Sequence, residues 1–293
     1  MKSIFGDRRA ILVLLAPALT VYTLVMLVPV AWSFGLTFFK GNSLEGFTFN
    51  GLGNFQRLFS DPYIWDALVF TLKYAVLMTA GQVIVGYGLA LLYTFVLRKS
   101  SVVLRTLIFF PVVLPTVAVA LLYQKLFQSA PVDGVVNSLL INLGITPIDW
   151  LGSAGTAFVV IIIMDLWRSM GFYGVLLYAG LLDIPEEVIE SARIDGASGW
   201  KLFRSIVLPM SLPILFSSII FSINGTVKVF DSIYALNGGG PGNGTTPLTL
   251  YMYRTAFAYS DYGYGSTIAL LLTIICMIIT LFIFRSSRTD VTR

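Results

Sequence analysis

Long stretches without a charged residue dominate the hydrophobic pattern of the chain. A helix needs about 20 mainly apolar residues to cross the hydrocarbon core of a bilayer. Five stretches meet this requirement, and a sixth is equally apolar except for Asp165 and Arg168, which are three residues apart and therefore share one helical face. The pattern predicts membrane-spanning helices within residues 10–39, 74–97, 106–124, 158–182, 205–227 and 262–284.

The segments between these helices differ in length and composition. Of the three predicted outer loops, residues 40–65 are rich in Gly, Asn and aromatic residues, 127–155 contain a predicted short helix near 135–143, and 236–261 include the glycine-rich stretch 237–242. On the other side, residues 183–204 hold five of the fifteen acidic residues. No internal repeat is visible in the sequence, so we predict one membrane domain over residues 1–293, with 183–204 as a loop within it.

Composition supports a membrane protein and argues against a soluble one. Hydrophobic residues make up 57% of the chain and charged residues 12%, whereas soluble domains have about 45–50% and about 25%. The net charge of +4 comes from scattered basic residues that form no basic face in the sequence. We therefore expect membrane lipid around the chain and no nucleic-acid partner.

The basic residues predict the orientation, because short cytoplasmic loops hold more Lys and Arg than translocated loops. With the N-terminus inside, twelve basic residues fall on the cytoplasmic side and five fall on the opposite side or its helix margins. We therefore predict a multi-pass protein with both termini in the cytoplasm. The twelve are Lys2, Arg8, Arg9, Arg98, Lys99, Arg105, Arg193, Lys201, Arg204, Arg285, Arg288 and Arg293.

Residues 183–196 have the pattern of a short amphipathic helix. Asp183 is predicted to cap its start, with Pro185 in the first turn and Glu186 placed to close a capping box. Gly196 fits a stop at the C-terminal end, and a second helical turn is predicted after Ser198. The charged side holds Glu187, Glu190 and Arg193, and the apolar side holds Val188, Ile189 and Ala192.

Two interpretations of this helix follow from the residues. One is an interfacial segment that settles among lipid head groups without a partner. Lipid-binding helices favour a basic polar face, however, and here Glu186, Glu187 and Glu190 would lie close to an anionic leaflet. Docking on another protein is therefore the favoured interpretation.

Part of this loop resembles a known motif. Residues 190–197 read Glu-Ser-Ala-Arg-Ile-Asp-Gly-Ala, and 206–209 read Ile-Val-Leu-Pro. Together they resemble the EAA loop of bacterial ATP-binding-cassette (ABC) importer permeases, and they depart from its Glu-Ala-Ala pattern only at Ser191. Similarity to the sugar-permease branch, which includes the maltose transporter, extends over nearly the full length through Asn54-Phe55, Trp167, Ala179-Gly180-Leu181 and Gly239-Gly240-Pro241.

The resemblance implies a fold, a location and a set of partners. The fold is the all-α, six-span fold of a type I ABC importer permease in the bacterial inner (plasma) membrane. The partners are a second permease subunit, a dimer of ABC ATPases and an extracytoplasmic solute-binding protein, with a sugar as substrate. The helix around Glu190 would dock in a cleft of the ATPase, with Glu187, Glu190, Ala192, Asp195, Gly196 and Ala197 as the coupling residues.

Motifs for enzymatic chemistry are missing from the sequence. A phosphate-binding loop for ATP needs Gly-Lys followed by Ser or Thr, and the dipeptide Gly-Lys does not occur. The chain has no histidine, which is the commonest general base and metal ligand. We therefore expect no catalytic residue, metal or cofactor in this chain, and ATP hydrolysis by a partner chain.

Four ionisable residues in or beside the spans are candidates for the substrate path, since charges inside a bilayer are costly and usually face the protein interior. Asp165 with Arg168, and Lys228 with Asp231, are each three residues apart. The alternative is that each pair forms an internal ion pair that fixes helix register. Lys228 and Asp231 could also simply lie near the outer interface.

The fifth span offers groups suited to a sugar, which is bound by hydrogen bonds and by stacking on aromatic rings. Ser222, Thr226, Val229, Phe230 and Ile233 have helical spacing and predict one stripe along a cavity. Ordinary small-residue helix packing is the alternative. Resemblance to the maltose-transporter permease, carried in register from 208–209 to 239–241, implies sugar contacts at Ser222, Thr226 and Val229, and also at Ser169 and Phe172.

These inferences together predict a permease subunit that imports a sugar or oligosaccharide by alternating access. An alternative cargo is another polyol, such as a glycerol phosphate. A secondary transporter is a further rival, but it should show repeated halves or helices broken near the midplane, and the sequence indicates neither. For a membrane-embedded enzyme, Asp165 and Asp231 are the only plausible acid groups.

Overall fold

The computed structural model describes residues 8–97 and 100–288. Of the basic residues that predict the orientation, Lys2, Arg98, Lys99 and Arg293 lie outside this description. The chain forms two compact units, one of residues 8–64 with 251–273 and the other of residues 65–250 with 274–288. The single domain over the whole chain stays a prediction from the sequence.

The first unit begins with a long apolar helix. α1 (Arg8–Tyr22) continues through a π-helical turn (Thr23–Leu27) into α2 (Val28–Leu36). No residue of Ile11–Leu36 is buried. Most of the apolar surface of this helix is therefore available to lipid or to another membrane subunit.

Residues 39–60, which fall almost entirely in a predicted loop, form a β-hairpin and a helix. β1 (Phe39–Asn42) pairs antiparallel with β2 (Gly46–Phe49), with Phe39 opposite Phe49, and α3 spans Gly53–Ser60. The buried Asn54 amide holds this segment in place, since its Nδ2 donates to the carbonyls of Thr37 (2.9 Å) and Phe39 (2.8 Å). The all-α prediction therefore has one small exception.

A polar cluster ties the end of α3 to residues 251–264 of the same unit. Oδ2 of Asp61 accepts hydrogen bonds from the phenols of Tyr251 and Tyr264, both at 2.7 Å. The Arg57 guanidinium lies 3.8 Å from the ring centroid of Tyr264 and forms a 2.7 Å ion pair with Asp261. Burial, together with the hydrogen bond to the Asp61 carboxylate, raises the pKa of Tyr251 above its usual value.

The remaining helices follow one another along the chain. They are α4 (Pro62–Leu91, extended by the π turn Leu92–Val96), α5 (Ser101–Val113), α6 (Thr116–Leu126), α7 (Val135–Asn142), α8 (Ala154–Leu182), α9 (Glu186–Ile194), α10 (Gly199–Leu202, followed by the π turn Phe203–Val207), α11 (Leu208–Thr226), α12 (Asp231–Asn237), α13 (Leu248–Tyr253, followed by the π turn Arg254–Ala258) and α14 (Tyr262–Arg288). The predicted short helix near 135–143 is confirmed as α7.

Five helical stretches within the described residues are long and apolar enough to cross a membrane, and a bent pair makes a sixth if it counts as one span. The number of spans therefore agrees with the prediction. The unbroken helix predicted over 106–124 is wrong, because α5 and α6 meet at an angle of 93°. Pro115 caps α6 and has no N–H to continue the helix, while Leu114 before it is extended.

Glycines set the close approach of the helices around α8. A Cβ added at Gly86 of α4 would lie 2.7 Å from Cβ of Tyr173, and one at Gly171 would lie 2.7 Å from Cα of Phe109 on α5. A Cβ at Gly174 would lie 3.3 Å from Leu89. Small residues of this kind let helix backbones pack closely inside a membrane.

Candidate functional site

The short helix α9 ends as the sequence predicts. The amides of Gly196 and Ala197 donate to the carbonyls of Arg193 (3.0 Å) and Ala192 (2.9 Å), the two bonds of a Schellman motif. Gly196 has φ of +80°, the left-handed conformation that this motif places on glycine. α10 then begins at Gly199, with Ser198 before it, as predicted.

The capping role predicted for Asp183 is wrong. α8 continues to Leu182, and Asp183 follows it with helical angles (φ −72°, ψ −12°). An N-cap residue needs an extended backbone instead. The helix α9 begins at Glu186 with Pro185 in the cap position.

The two faces of α9 differ in burial and in charge. Ile189 and Ala192 are buried, together with Ala197 beyond the helix end, in an apolar cluster that includes Leu177 and Leu181 of α8. Four predicted coupling residues, Glu187, Glu190, Asp195 and Gly196, are exposed. The predicted amphipathic pattern is therefore confirmed. The apolar face of α9 packs against the cluster, and its carboxylates are exposed.

A cavity of about 350 Å³ lies in the second unit between α4, α8 and the end of α11. This volume is within the range of about 300–1,000 Å³ that is typical of ligand sites. The structure brings the sequence-predicted residues together here, although their role in a substrate path stays a prediction. Its lining includes Asp165, Arg168, Ser169, Phe172, Ser222, Thr226, Lys228, Val229, Phe230 and Asp231.

A break in the backbone shapes one wall of this cavity. α11 ends at Thr226, and Phe230, with φ of −145° and ψ of −65°, precedes α12. The continuous helical stripe predicted from Ser222 to Ile233 is therefore wrong beyond Thr226, and Ile233 is fully buried away from the cavity lining. Val229 and Phe230 reach the cavity because the chain leaves the helix.

The same break separates Lys228 from Asp231. Three-residue spacing brings side chains together only on a continuous helix, and both of these side chains are exposed. Within the described part of the chain, no ion pair of 4.0 Å or less joins them. The alternative of an internal Lys228–Asp231 ion pair is therefore wrong.

Asp165 is the most buried charged residue of the cavity, with 4% of its surface exposed. Its Oδ2 accepts hydrogen bonds from Tyr74 of α4 (2.6 Å) and Ser232 of α12 (2.9 Å). Its Oδ1 lies 4.0 Å from Nε of Arg168. That distance is an ion pair but is too long for a hydrogen bond.

A second polar group links α4, α8 and α11 through Gln82. Its Nε2 donates to Oγ of Ser169 (2.9 Å), and its Oε1 accepts from Oγ of Ser222 (2.6 Å). Oγ of Ser169 in turn donates to the carbonyl of Asp165 (2.6 Å). The hydroxyl hydrogens of Ser169 and Ser222 are therefore engaged with the protein, and Gln82 is oriented at the cavity wall by the Ser169 oxygen and the Ser222 hydroxyl.

Sequence reasoning missed Tyr74, Gln82 and Ser232, although all three line the cavity. Gln82 gave a signal, since it is an amide inside an otherwise apolar stretch. Aromatic residues form another part of the wall, where Phe172 and Phe221 stack with centroids 5.3 Å apart. Over the described residues, no cluster of three or more His, Cys, Asp or Glu side chains suits a metal ion.

Comparisons with known proteins agree with this architecture. The profile of the family described as binding-protein-dependent transport system inner membrane component matches residues 82–288. The trehalose/maltose transport system permease protein MalF of Thermococcus litoralis is 32% identical over 276 residues, 94% of this chain and 92% of that protein. The lactose transport system permease protein LacF of Rhizobium radiobacter is 32% identical over 278 residues, 93% of this chain and 92% of that protein.

One chain of a solved structure has the same fold. It belongs to the crystal structure of a bacterial ABC transporter involved in the import of the acidic polysaccharide alginate. The TM-score is 0.85 at 22% identity, and the match covers 98% of this chain and 97% of that chain. The importer permease fold expected from the sequence is thereby confirmed.

Proposed function

The chain belongs to the family of inner-membrane components of binding-protein-dependent transport systems, and we propose that its cargo is a sugar or an oligosaccharide. The observation that carries the proposal is the cavity, which combines hydrogen-bonding side chains with an aromatic wall. Neutral polyols are bound by such groups. The names of the relatives from Thermococcus litoralis and Rhizobium radiobacter, which refer to trehalose, maltose and lactose, support it.

The charges of the cavity favour a neutral cargo. Two cations, Arg168 and Lys228, line it together with two carboxylates, Asp165 and Asp231. These formal charges cancel, so the site has no net attraction for an anion. A neutral sugar therefore fits better than a glycerol phosphate.

The proposed assembly contains a second permease subunit, two ABC ATPases and an extracytoplasmic solute-binding protein. ATP hydrolysis takes place in the ATPase subunits, since the sequence lacks the Gly-Lys dipeptide of a phosphate-binding loop. The exposed apolar helix Ile11–Leu36 is a suitable contact for lipid and for the second permease. Each change between inward-open and outward-open states requires a ligand that prefers one state, and here those ligands are ATP and the loaded binding protein.

The helix α9 is the proposed contact with the ATPase. Its exposed Glu187 and Glu190 would face the partner, while Ile189 and Ala192 join it to the ends of α4 and α8 through the apolar cluster. A displacement of α9 by the ATPase would therefore reach the helices that line the cavity. A Glu190→Cys variant, made with Cys276→Ser to remove the single natural cysteine, should crosslink to the ATPase; crosslinks to lipid alone would contradict this contact.

The proposed location is the bacterial inner membrane, with both termini in the cytoplasm. Leu44 in the turn between β1 and β2 is 95% exposed and would lie outside, whereas Glu190 would lie inside. A membrane-impermeant thiol reagent added to intact cells should label Leu44→Cys but not Glu190→Cys. The reverse labelling would overturn the orientation.

The transport function is tested by reconstitution of the complete complex in proteoliposomes. Radiolabelled maltose, trehalose, lactose and maltotriose are supplied with the binding protein, and ATP is placed on the ATPase side. We expect ATP-dependent accumulation of at least one of these sugars. Accumulation driven by an ion gradient without ATP, or no uptake of any sugar, would refute the proposal.

A further inference from the structure

A groove of about 570 Å³ runs along the exposed side of α5 and shares no lining residue with the cavity described above. Its polar lining residues are Arg105 and Thr106, and none of its described lining residues carries a carboxylate. The hydroxyl of Thr106 donates to the carbonyl of Val102 (2.9 Å), so Arg105 supplies the free donors of the groove. The apolar lining residues are Val102, Phe109, Phe110 and Val113 of α5 and Val175 of α8.

The guanidinium of Arg105 has a fixed orientation at the end of this groove nearest the start of α5. Its Nε donates to the carbonyl of Ser101 (3.1 Å), and its Cζ lies 4.2 Å from the ring centroid of Tyr178. Tyr178 in turn packs edge-to-face against the buried Tyr93, with ring centroids 6.0 Å apart. Because arginine stacks on aromatic faces and presents its donors as a planar fork, these contacts orient the remaining donors before any ligand binds.

Most donors of this guanidinium are unused and accessible. A guanidinium has five N–H groups, and within the described chain only the one on Nε of Arg105 is hydrogen-bonded. No carboxylate of the described residues lies within 4.0 Å of it. The η nitrogens are not among the buried unpaired atoms of the described chain, which are Oδ1 of Asp165 and Nε of Arg168. A ligand can therefore reach them.

The groove matches the depth profile of a phospholipid. Arg105 lies one helical turn, about 6 Å, beyond the start of α5 at Ser101, and the head-group region of one leaflet is about 5–8 Å thick. Val113 lies about 12 Å further along the helix axis. The charged end of the groove therefore falls among head groups, and the apolar end falls among acyl chains.

We propose that this groove binds an anionic phospholipid of the cytoplasmic leaflet. Its phosphate accepts hydrogen bonds from the η N–H groups of Arg105, and one acyl chain lies along Phe109 and Val113. Arginine binds phosphate oxygens in bidentate fashion, and the cytoplasmic leaflet contains anionic lipids. A zwitterionic lipid fits less well, because no carboxylate of the groove pairs with its ammonium group. The inference is independent of the cargo but uses the proposed orientation, which places the start of α5 at the cytoplasmic face.

A non-specific role of Arg105 makes a different prediction. Long basic side chains near helix ends extend to the head groups without selecting a lipid. Arg204 is an exposed arginine on the same proposed side of the membrane and does not line the groove. If basic charge alone attracts anionic lipid, the loss of either arginine should have the same effect. If the groove binds the lipid, only the loss of Arg105 should matter.

The test uses the complete complex in phosphatidylcholine vesicles. Trace phosphatidylglycerol or phosphatidylcholine carries a photoactivatable diazirine in the middle of one acyl chain, and mass spectrometry measures the labelling of residues 105–113. We expect phosphatidylglycerol to label this segment about fivefold more than phosphatidylcholine does. Arg105→Gln should bring the two lipids to near equality, whereas the matched control Arg204→Gln should keep the wild-type ratio.

Val113→Trp tests the apolar end independently. Val113 is 71% exposed, so the variant is expected to assemble, and the larger ring should reduce labelling by both lipids. Equal labelling of the wild type by both lipids, an unchanged ratio in Arg105→Gln, the same loss in Arg204→Gln, or unchanged labelling in Val113→Trp would overturn the inference.

The competing occupant of the groove is the second permease subunit. Phe110 is 61% exposed, and Phe110→Cys, made with Cys276→Ser, reports on its neighbours in the assembled complex. We expect no crosslink to the second permease. A crosslink to that subunit would show that protein covers the groove and would also overturn the inference. Labelling and crosslinking are measured without transport, so their failure leaves the proposed cargo unaffected.

Discussion

The amide of Ala197 donates a 2.9 Å hydrogen bond to the carbonyl of Ala192, and this bond turns the chain back directly after α9. Both residues belong to the apolar cluster against which the helix packs. Gly196 between them has φ of +80°, and a Cβ there would meet no atom within 4 Å. The position is therefore limited by backbone conformation and not by space.

Replacement of Gly196 should separate ATP hydrolysis from transport. Gly196→Val forces a β-branched residue into the left-handed region at a cost of about 1–2 kcal/mol. Relief of this strain should move Ala197 out of the apolar cluster. Gly196→Asn tolerates the conformation better and should retain most uptake. ATP hydrolysis and sugar uptake are measured in the same proteoliposomes, and equal uptake by the two variants would contradict the expectation.

Charge reversal on the outer face of α9 should impair coupling without unfolding the chain. Glu190 is exposed, so Glu190→Lys should change the free energy of unfolding by no more than about 0.5 kcal/mol. A repulsive contact at a protein interface costs several kcal/mol, so uptake should fall by tenfold or more. Ser191→Ala on the same exposed face is the control and should transport normally. Normal uptake by Glu190→Lys would show that Glu190 does not contribute to docking on the ATPase.

Two glycines on α4 should respond oppositely to the same substitution. Gly86→Ala places its Cβ 2.7 Å from Cβ of Tyr173, and such overpacking costs about 1–3 kcal/mol. Gly88 has no atom within 4 Å of an added Cβ, so Gly88→Ala should be neutral or stabilising by about 0.4–1 kcal/mol. Thermal unfolding in detergent measures both, and equal unfolding temperatures would show that α4 and α8 are not in close contact there.

The phenol of Tyr251 should stabilise the first unit through Asp61. Removal of this hydrogen bond to a carboxylate in Tyr251→Phe should lower the free energy of unfolding by about 1.5–3 kcal/mol. Tyr259→Phe, at a ring that is 70% exposed, is the control and should have little effect. Denaturant unfolding in detergent at pH 7 measures the free energy of unfolding of the wild type and of both variants.

The hydrogen bond between Tyr251 and Asp61 also predicts that the stability of the folded chain falls at alkaline pH. Burial and the Asp61 hydrogen bond raise the pKa of Tyr251 in the folded chain above the usual value of 10.0. Its contribution to stability is therefore complete below pH 10 and is lost as the pH rises further. The difference in stability between wild type and Tyr251→Phe should shrink between pH 10 and 11; a constant difference would argue against this role of the phenol.

The sequence was most informative where local chemistry decides the structure. Gly196 and the pattern of Ile189 and Ala192 predict the end and the buried face of α9, because a helix stop and an amphipathic period are properties of neighbouring residues. The spans were predictable from the absence of charge over about 20 residues. Asp165 was a candidate because a charge inside a span is costly, whereas the meeting of Ser169 with Ser222 at one cavity was predictable only through the family resemblance.

Other features depend on contacts between distant residues. The hairpin at 39–49 consists of two four-residue strands, too short for an alternating pattern, and Asn54 stabilises it from another element. The break at Pro115 interrupts a stretch whose apolar composition is uniform, so hydropathy alone gives no signal there. Tyr74 and Ser232 became relevant only because three helices bring them to one carboxylate oxygen.

The 93° bend between α5 and α6 has a consequence for how the membrane stays sealed. Backbone that leaves the helix at bilayer depth is tolerated only where it is buried in protein or lines a water-filled space. Val112 and Thr116, on either side of the bend, both line the cavity. A water-filled cavity would satisfy this condition at the bend, and the barrier that prevents leakage of ions would then be formed by other layers of the helix bundle.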